Sequence, residues 1–106
     1  MKDFYGNEFH PTEMYNLINQ LIMMGVPFKV KEILDTPQVI FCDWNGEIIG
    51  DAICHEGSYG HEMGLLEIMG LDIDEAEVGD SVLGYLTAEE VVNHYIHWRE
   101  LHDGEA

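Results

Sequence analysis

Six histidines, two cysteines, one glycine-flanked serine and a dense run of carboxylates are the groups through which this sequence could do chemistry. His94 and His97 stand three apart and share one side of any helix that carries them. With Cys54, His55 or His61 brought in from a glycine-rich stretch, they would supply the donors of a zinc or other transition-metal site. The spacings match no standard ligand pattern, and imidazoles packed beside an apolar helix face are the simpler reading. His55-Glu56 and His61-Glu62 repeat a dipeptide in which the histidine can accept a proton and the carboxylate orient it. No histidine stands four residues after His61, so the zinc-protease pattern is missing, and a solvated polar loop accounts for both pairs. Ser58 lies between Gly57 and Gly60, but Glu56 occupies the place where a nucleophile elbow needs its first glycine. Asp72 and Asp74 open like a calcium loop, yet Ala76 takes the next ligand position and Glu77 stands where the loop needs glycine. There is no phosphate-binding loop, dinucleotide fingerprint or paired-cysteine motif. The expectation is a protein that is not an enzyme and needs no metal or cofactor.

Charge is the more unusual property. Twenty-one acids face four bases over 106 residues, a formal net charge of −17. The bases are Lys2, Lys29, Lys31 and Arg99, so neither Lys nor Arg occurs between positions 31 and 99. Such a field repels phosphate backbones, whose binding rests on their neutralisation by Lys and Arg, and it repels anionic membrane surfaces. Direct binding to nucleic acid or membrane is therefore not expected. No apolar run approaches the roughly 20 residues needed to span a bilayer, and the first residues lack a signal peptide's basic start and apolar stretch. A cytoplasmic location follows as the expectation, with Cys42 and Cys54 as buried, reduced thiols.

The elements that must position these groups are read from periodicity and punctuation. The length suits one domain, residues 1–106, able to bury roughly two-thirds of its unfolded surface. Met14, Leu17, Ile18, Leu21 and Ile22 recur at helical spacing, which predicts a helix over 13–24 with Thr12 as its N-cap and Gly25 as its stop. Strands are predicted over 27–34, 38–44 and 47–54, the last two joined at Asn45-Gly46, the pair favoured in a type I′ hairpin turn. A glycine-rich loop over 55–64 leads to a predicted short helix with Met63, Leu65, Leu66, Ile68 and Met69 on its apolar side and Gly70 as cap. An acidic loop follows, and residues 81–86 form a short strand or extended lead-in. Thr87-Ala88-Glu89-Glu90 is a capping box that starts a last helix burying Val91, Val92, Tyr95 and Trp98. The fold class is α+β: a three-stranded antiparallel meander with helices packed on one face, in the order α-β-β-β-α-α.

Gly57-Ser58-Tyr59-Gly60-His61-Glu62, Gly64-Leu65-Leu66-Glu67-Ile68-Met69-Gly70 and Gly84-Tyr85-Leu86-Thr87-Ala88-Glu89-Glu90-Val91 carry a resemblance to known proteins. Over roughly residues 40–92 the chain resembles small, uncharacterised acidic proteins encoded by phages and prophages of Gram-positive bacteria. The resemblance implies a setting and no activity. In size, acidity and element order the chain is also similar to some anti-CRISPR inhibitors, which block the DNA-binding cleft of a Cas nuclease. That likeness is architectural and transfers no site.

Carboxylates on a compact domain can imitate the phosphates of a nucleic acid and occupy a channel of Lys and Arg, with steered association and charge-assisted contacts. The row expected to do so is Glu56, Glu62, Glu67, Asp72, Asp74, Glu75, Glu77 and Asp80, with Tyr59 and Tyr85 as interface anchors. The expected function is that of a non-enzymatic phage-type accessory protein acting on a host protein with a basic surface. Two alternatives stand beside it: a small metal-binding domain using Cys54 and the histidines, and a structural or regulatory subunit whose acidity serves solubility.

Overall fold

Helix α1 (Thr12–Met24) lays Met14, Leu17 and Leu21 into the core, one residue per turn on a single face. Ile22, which its spacing groups with them, is exposed. The N–H of Gly25 donates to the carbonyls of Leu21 and Ile22 at 3.1 Å and closes the helix. The computed structural model describes residues 12–33, 36–71 and 82–102, and everything below refers to these.

Five strands follow the helix: β1 (Phe28–Ile33), β2 (Thr36–Cys42), β3 (Ile48–Ile53), β4 (Leu66–Gly70) and β5 (Val82–Leu86). They form one antiparallel sheet in the order β1-β2-β3-β4-β5, each strand pairing with its sequence neighbour. Helix α2 (Ala88–His102) closes the domain.

The α+β class and the antiparallel meander agree with the sequence reading, but among the described residues the sheet has five strands and the α-helices number two. The expected short helix after the glycine-rich loop is a single 3-10 turn, His61–Met63, and the apolar run beyond it is β4. Leu66 and Ile68 point into the core while Glu67 and Met69 point away, a period of two. Residues 82–86, the possible extra strand, pair with β4 as β5.

The hairpin at Asn45-Gly46 forms with a different turn from the one expected. Only Gly46 takes a left-handed φ, +85°; Asn45 does not. The loop is three residues long, closed by Asp43 N–H to Glu47 O at 2.9 Å and Gly46 N–H to Asp43 O at 3.0 Å. The Asp43 carboxylate accepts the N–H groups of Asn45 and Glu47, both at 2.9 Å. That side-chain clamp favours the longer loop with one left-handed glycine over the two-residue turn, and the register shifts between Phe41 and Cys42.

Both helices cover one face of the sheet. Val39, Phe41, Ala52, Leu66, Ile68 and Leu86 meet the α1 residues and Val91, Val92 and Tyr95 of α2 in one core cluster. Phe41 stacks on Tyr95 at 5.5 Å between ring centroids, and Tyr95 is followed along α2 by Trp98 at 6.5 Å. The Arg99 guanidinium lies 5.7 Å from the Trp44 ring and 5.9 Å from that of Tyr95, so its charge rests on aromatic faces. Glu13 in the first turn of α1 accepts the Ala88 N–H at 3.2 Å. One carboxylate thus serves the N-termini of both helices, where negative charge is favoured. No helix among the described residues is long and apolar enough to cross a membrane.

The capping box of α2 forms as its sequence predicts. Thr87 N–H donates to Glu90 Oε1 at 3.0 Å, and Glu90 N–H donates to Thr87 Oγ1 at 3.3 Å. The backbone and hydroxyl bonds from Thr87 hold the Glu90 carboxyl below its ordinary range. A carboxyl lowered in the folded state stabilises fully above its unfolded pKa and loses that contribution as pH falls through the folded value. Loss of the N-cap hydroxyl in Thr87→Ala is expected to cost about 1 kcal/mol at neutral pH. The gap between thermal melts of the two forms should narrow but not close on acidification through the carboxylate range, because the Glu90 N–H bond to Thr87 Oγ1 does not titrate.

Candidate partner-binding site

Residues 55–64 are held by their own side chains. The Ser58 hydroxyl donates to the His55 carbonyl at 2.7 Å and accepts the His55 N–H at 3.0 Å, closing a four-residue turn. The ring Nδ1 of His55 is 2.7 Å from the Glu56 carbonyl oxygen. Ser58 is buried and its hydroxyl is committed to this turn, so its role is to shape the loop. His61, 5% exposed, places Nε2 at 3.7 Å from Glu56 Oε1. The repeated dipeptides thus do not act as two equal pairs: His61 pairs back to Glu56, and Glu62 is left exposed on the 3-10 turn.

This loop leans on an irregularity in the sheet. Pairing of β4 with β5 runs Leu66 to Leu86 and then Ile68 to Leu83, with a register shift that inserts Gly84 and Tyr85 opposite Glu67. Tyr85 takes φ +59°, a left-handed conformation that is costly for a bulky side chain. Its N–H donates to the Tyr59 carbonyl at 3.2 Å. Tyr59 sits directly over Gly84, where a Cβ would overlap the Tyr59 Cβ and stand 3.0 Å from the Tyr59 oxygen. From the other side Glu67 Oε2 accepts the Tyr59 N–H at 2.6 Å, a short charge-assisted bond. The backbones of the two tyrosines are therefore tied together at a β-bulge, and each residue is about half exposed: Tyr59 at 50% and Tyr85 at 55%.

Of the residues expected to bind a partner, Tyr85 and Glu67 are each hydrogen-bonded to the backbone of Tyr59. Glu56 and Glu62 belong to the same loop. Asp72, Asp74, Glu75, Glu77 and Asp80 lie outside the described residues. Sequence reasoning missed the parts that do the positioning: the Ser58 turn, the buried His61 and Gly84. Gly84 is the one with a signal in the sequence, since a glycine inside a strand marks a bulge or a close approach.

The metal alternative finds no such assembly. Among the described residues no group of three or more His, Cys, Asp or Glu side chains is placed to hold a metal ion. Cys54 is fully buried, and burial pushes its thiol up to about 11. His94 and His97 line a shallow groove on α2 with Glu90 and Asn93. Cys42 and Cys54 are both buried and free of any disulfide.

No protein-family model, no curated protein and no solved structure matches the chain at a significant level. The functional reading therefore rests on the residues themselves.

Proposed function

We propose that this chain is a non-enzymatic, phage-type accessory protein that docks on the basic surface of a host nucleic-acid-handling protein, in the manner of a nucleic-acid mimic. The reading is carried by Tyr59 and Tyr85, two half-exposed aromatics whose backbones are tied together at a strained bulge, with the Glu67 carboxylate on the Tyr59 N–H and Glu62 exposed in the same loop. Tyrosine offers a large contact area with little rotamer entropy to lose, which suits it to anchor an interface. Backbone strain is retained where the surrounding structure enforces it, and such positions cluster at functional surfaces. Carboxylates around the anchors supply the charge that a Lys- and Arg-lined cleft selects, with a net charge of −17 behind them to steer approach.

The test uses the wild-type domain and a Tyr59→Ala/Tyr85→Ala variant of identical net charge as paired baits in a lysate of a Gram-positive bacterium at low salt. A mimic retains a basic protein that the variant does not. Duplex DNA displaces that protein, and its affinity falls about tenfold or more as salt rises from about 50 to about 200 mM. Identical sets of retained proteins on the two baits would leave the acidity as a solubility device and end the proposal.

A further inference from the structure

The second face of the sheet carries a pattern of which the partner-binding reading uses only Glu67. Antiparallel register fixes which side chains share it. Lys29, Ile40, Asp51, Met69 and Val82 form one row across all five strands, because 29 pairs with 40, 40 with 51, 51 with 69 and 69 with 82. In the next row Lys31 pairs with Gln38, and Ile53 pairs with Glu67. Two of the chain's four bases thus lie on the β1 side of this face, and its acids, Asp51 and Glu67, lie on β3 and β4. Between them runs an apolar groove of about 370 Å³, walled by Ile40, Ile48, Ile49 and Met69 and bounded by Gln38 and Asp51. Gln38 Nε2 donates to Asp51 Oδ2 at 2.7 Å, which holds that carboxylate on the groove's rim. Neither helix covers this face, and Met69 is 51% exposed.

We propose that this face is the interface of a two-fold homodimer, in which two sheets pack face to face. Its charges are self-complementary about one axis only, running parallel to the strands between β2 and β3. That axis sets β1 of one copy over β4 of the other and β2 over β3. Lys31 then meets Glu67 of the second copy in the same row, and Lys29 reaches its Asp51. Met69 and Ile48 of both copies, each more than half exposed in the single chain, fill the space between the sheets, which pack about 10 Å apart. Shifting the axis onto β3 would set Asp51 against its own copy, so the pattern selects one register. An isologous interface makes each contact twice, and β5 with Tyr85 stays outside the overlap.

Edge-to-edge pairing through β1 is disfavoured by the same lysines. Two antiparallel β1 strands related by a two-fold axis place lysines opposite or beside one another, and like charges across strands destabilise. The dimer is therefore a sandwich and not a continuous sheet.

Sedimentation equilibrium of the wild-type chain at about 0.3 M salt tests this, since the Debye length there is about 6 Å and the repulsion between two strongly acidic copies is screened while contact pairs persist. A concentration-dependent dimer is expected. Lys31→Glu, an exposed change that leaves the core intact, turns two attractive pairs into two repulsive ones and should weaken the dimer by about 100-fold. Adding Glu67→Lys to Lys31→Glu should restore most of the loss. A monomer at every concentration overturns the proposal, as does a dimer indifferent to Lys31→Glu or one that the double exchange does not rescue. A monomer whose capture of a basic partner is lost on Met69→Glu assigns the face to that partner and equally overturns it. Capture of a partner by the tyrosine pair is scored separately, so either reading can fail alone.

Discussion

Tyr59→Ala combined with Tyr85→Ala is expected to weaken capture of the basic partner by two to three orders of magnitude, at roughly 2 kcal/mol for each anchor removed. Both side chains are half exposed and neither belongs to the buried core, so the doubly truncated domain should still fold. The contrast with charge removal is informative. Glu62, replaced by glutamine, removes one solvated carboxylate of many and should change affinity by only about two- to fivefold, mostly through the association rate. Surface plasmon resonance separates the two classes, because loss of an anchor shortens residence while loss of steering slows arrival. Tyr85→Gly adds a further expectation. Glycine accepts the left-handed backbone that tyrosine adopts under strain, so this variant should melt at or above the wild-type temperature while binding less well.

Gly84→Ala is the single change expected to injure the site through the scaffold. The new Cβ overlaps that of Tyr59, and the next atoms it meets belong to the Tyr59 backbone. The loop must lift from β5, straining the Glu67 bond to Tyr59 N–H and the Tyr85 bond to the Tyr59 carbonyl. The expected cost is about 2 kcal/mol of stability, typical of overpacking, with loss of partner capture at temperatures where the domain remains folded. Urea denaturation followed by circular dichroism gives the first quantity. A Gly84→Ala protein as stable as the wild type would mean that the loop does not rest on this glycine.

These two expectations depend on parts of the fold that differ in how legible they are from the amino acids. Helix α1 is announced by Met14, Leu17 and Leu21 at helical spacing and by Gly25 at its end, because an isolated amphipathic helix writes its burial locally. The α2 start is equally local, since Thr87 and Glu90 satisfy each other. Strand β4 is where local reading fails. In Leu65-Leu66-Glu67-Ile68-Met69 the apolar residues fit a helical stripe and an alternating strand almost equally, as short apolar runs do. What decides for the strand is the presence of β3 and β5 on either side to take its hydrogen bonds. The closeness of Gly64 and Gly70 favours a strand over a helix, and that is the only local cue.

The candidate site was half legible for the same reason. Tyrosines and carboxylates can be picked from a sequence by type, and Tyr59, Tyr85 and Glu67 do converge. Their convergence depends on a register shift between β4 and β5, which is a property of the paired strands. No single segment encodes it. The His55-Glu56 and His61-Glu62 repeats suggested symmetry, and the fold breaks it by burying His61 against Glu56. Cys54, which the metal alternative grouped with the histidines, follows β3 and is buried in the core, a placement its sequence neighbours alone do not reveal.

Amide chemical-shift mapping tests the central claim most directly. ¹⁵N-labelled domain is titrated with the basic protein that it captures, and the perturbed amides are located on the fold. The account predicts that the largest changes fall on Tyr59, Gly60, Glu67 and Tyr85 and that they vanish when duplex DNA is added in excess. Perturbations confined to the outer surface of α1 or α2, with Tyr59 and Tyr85 unmoved, would contradict it.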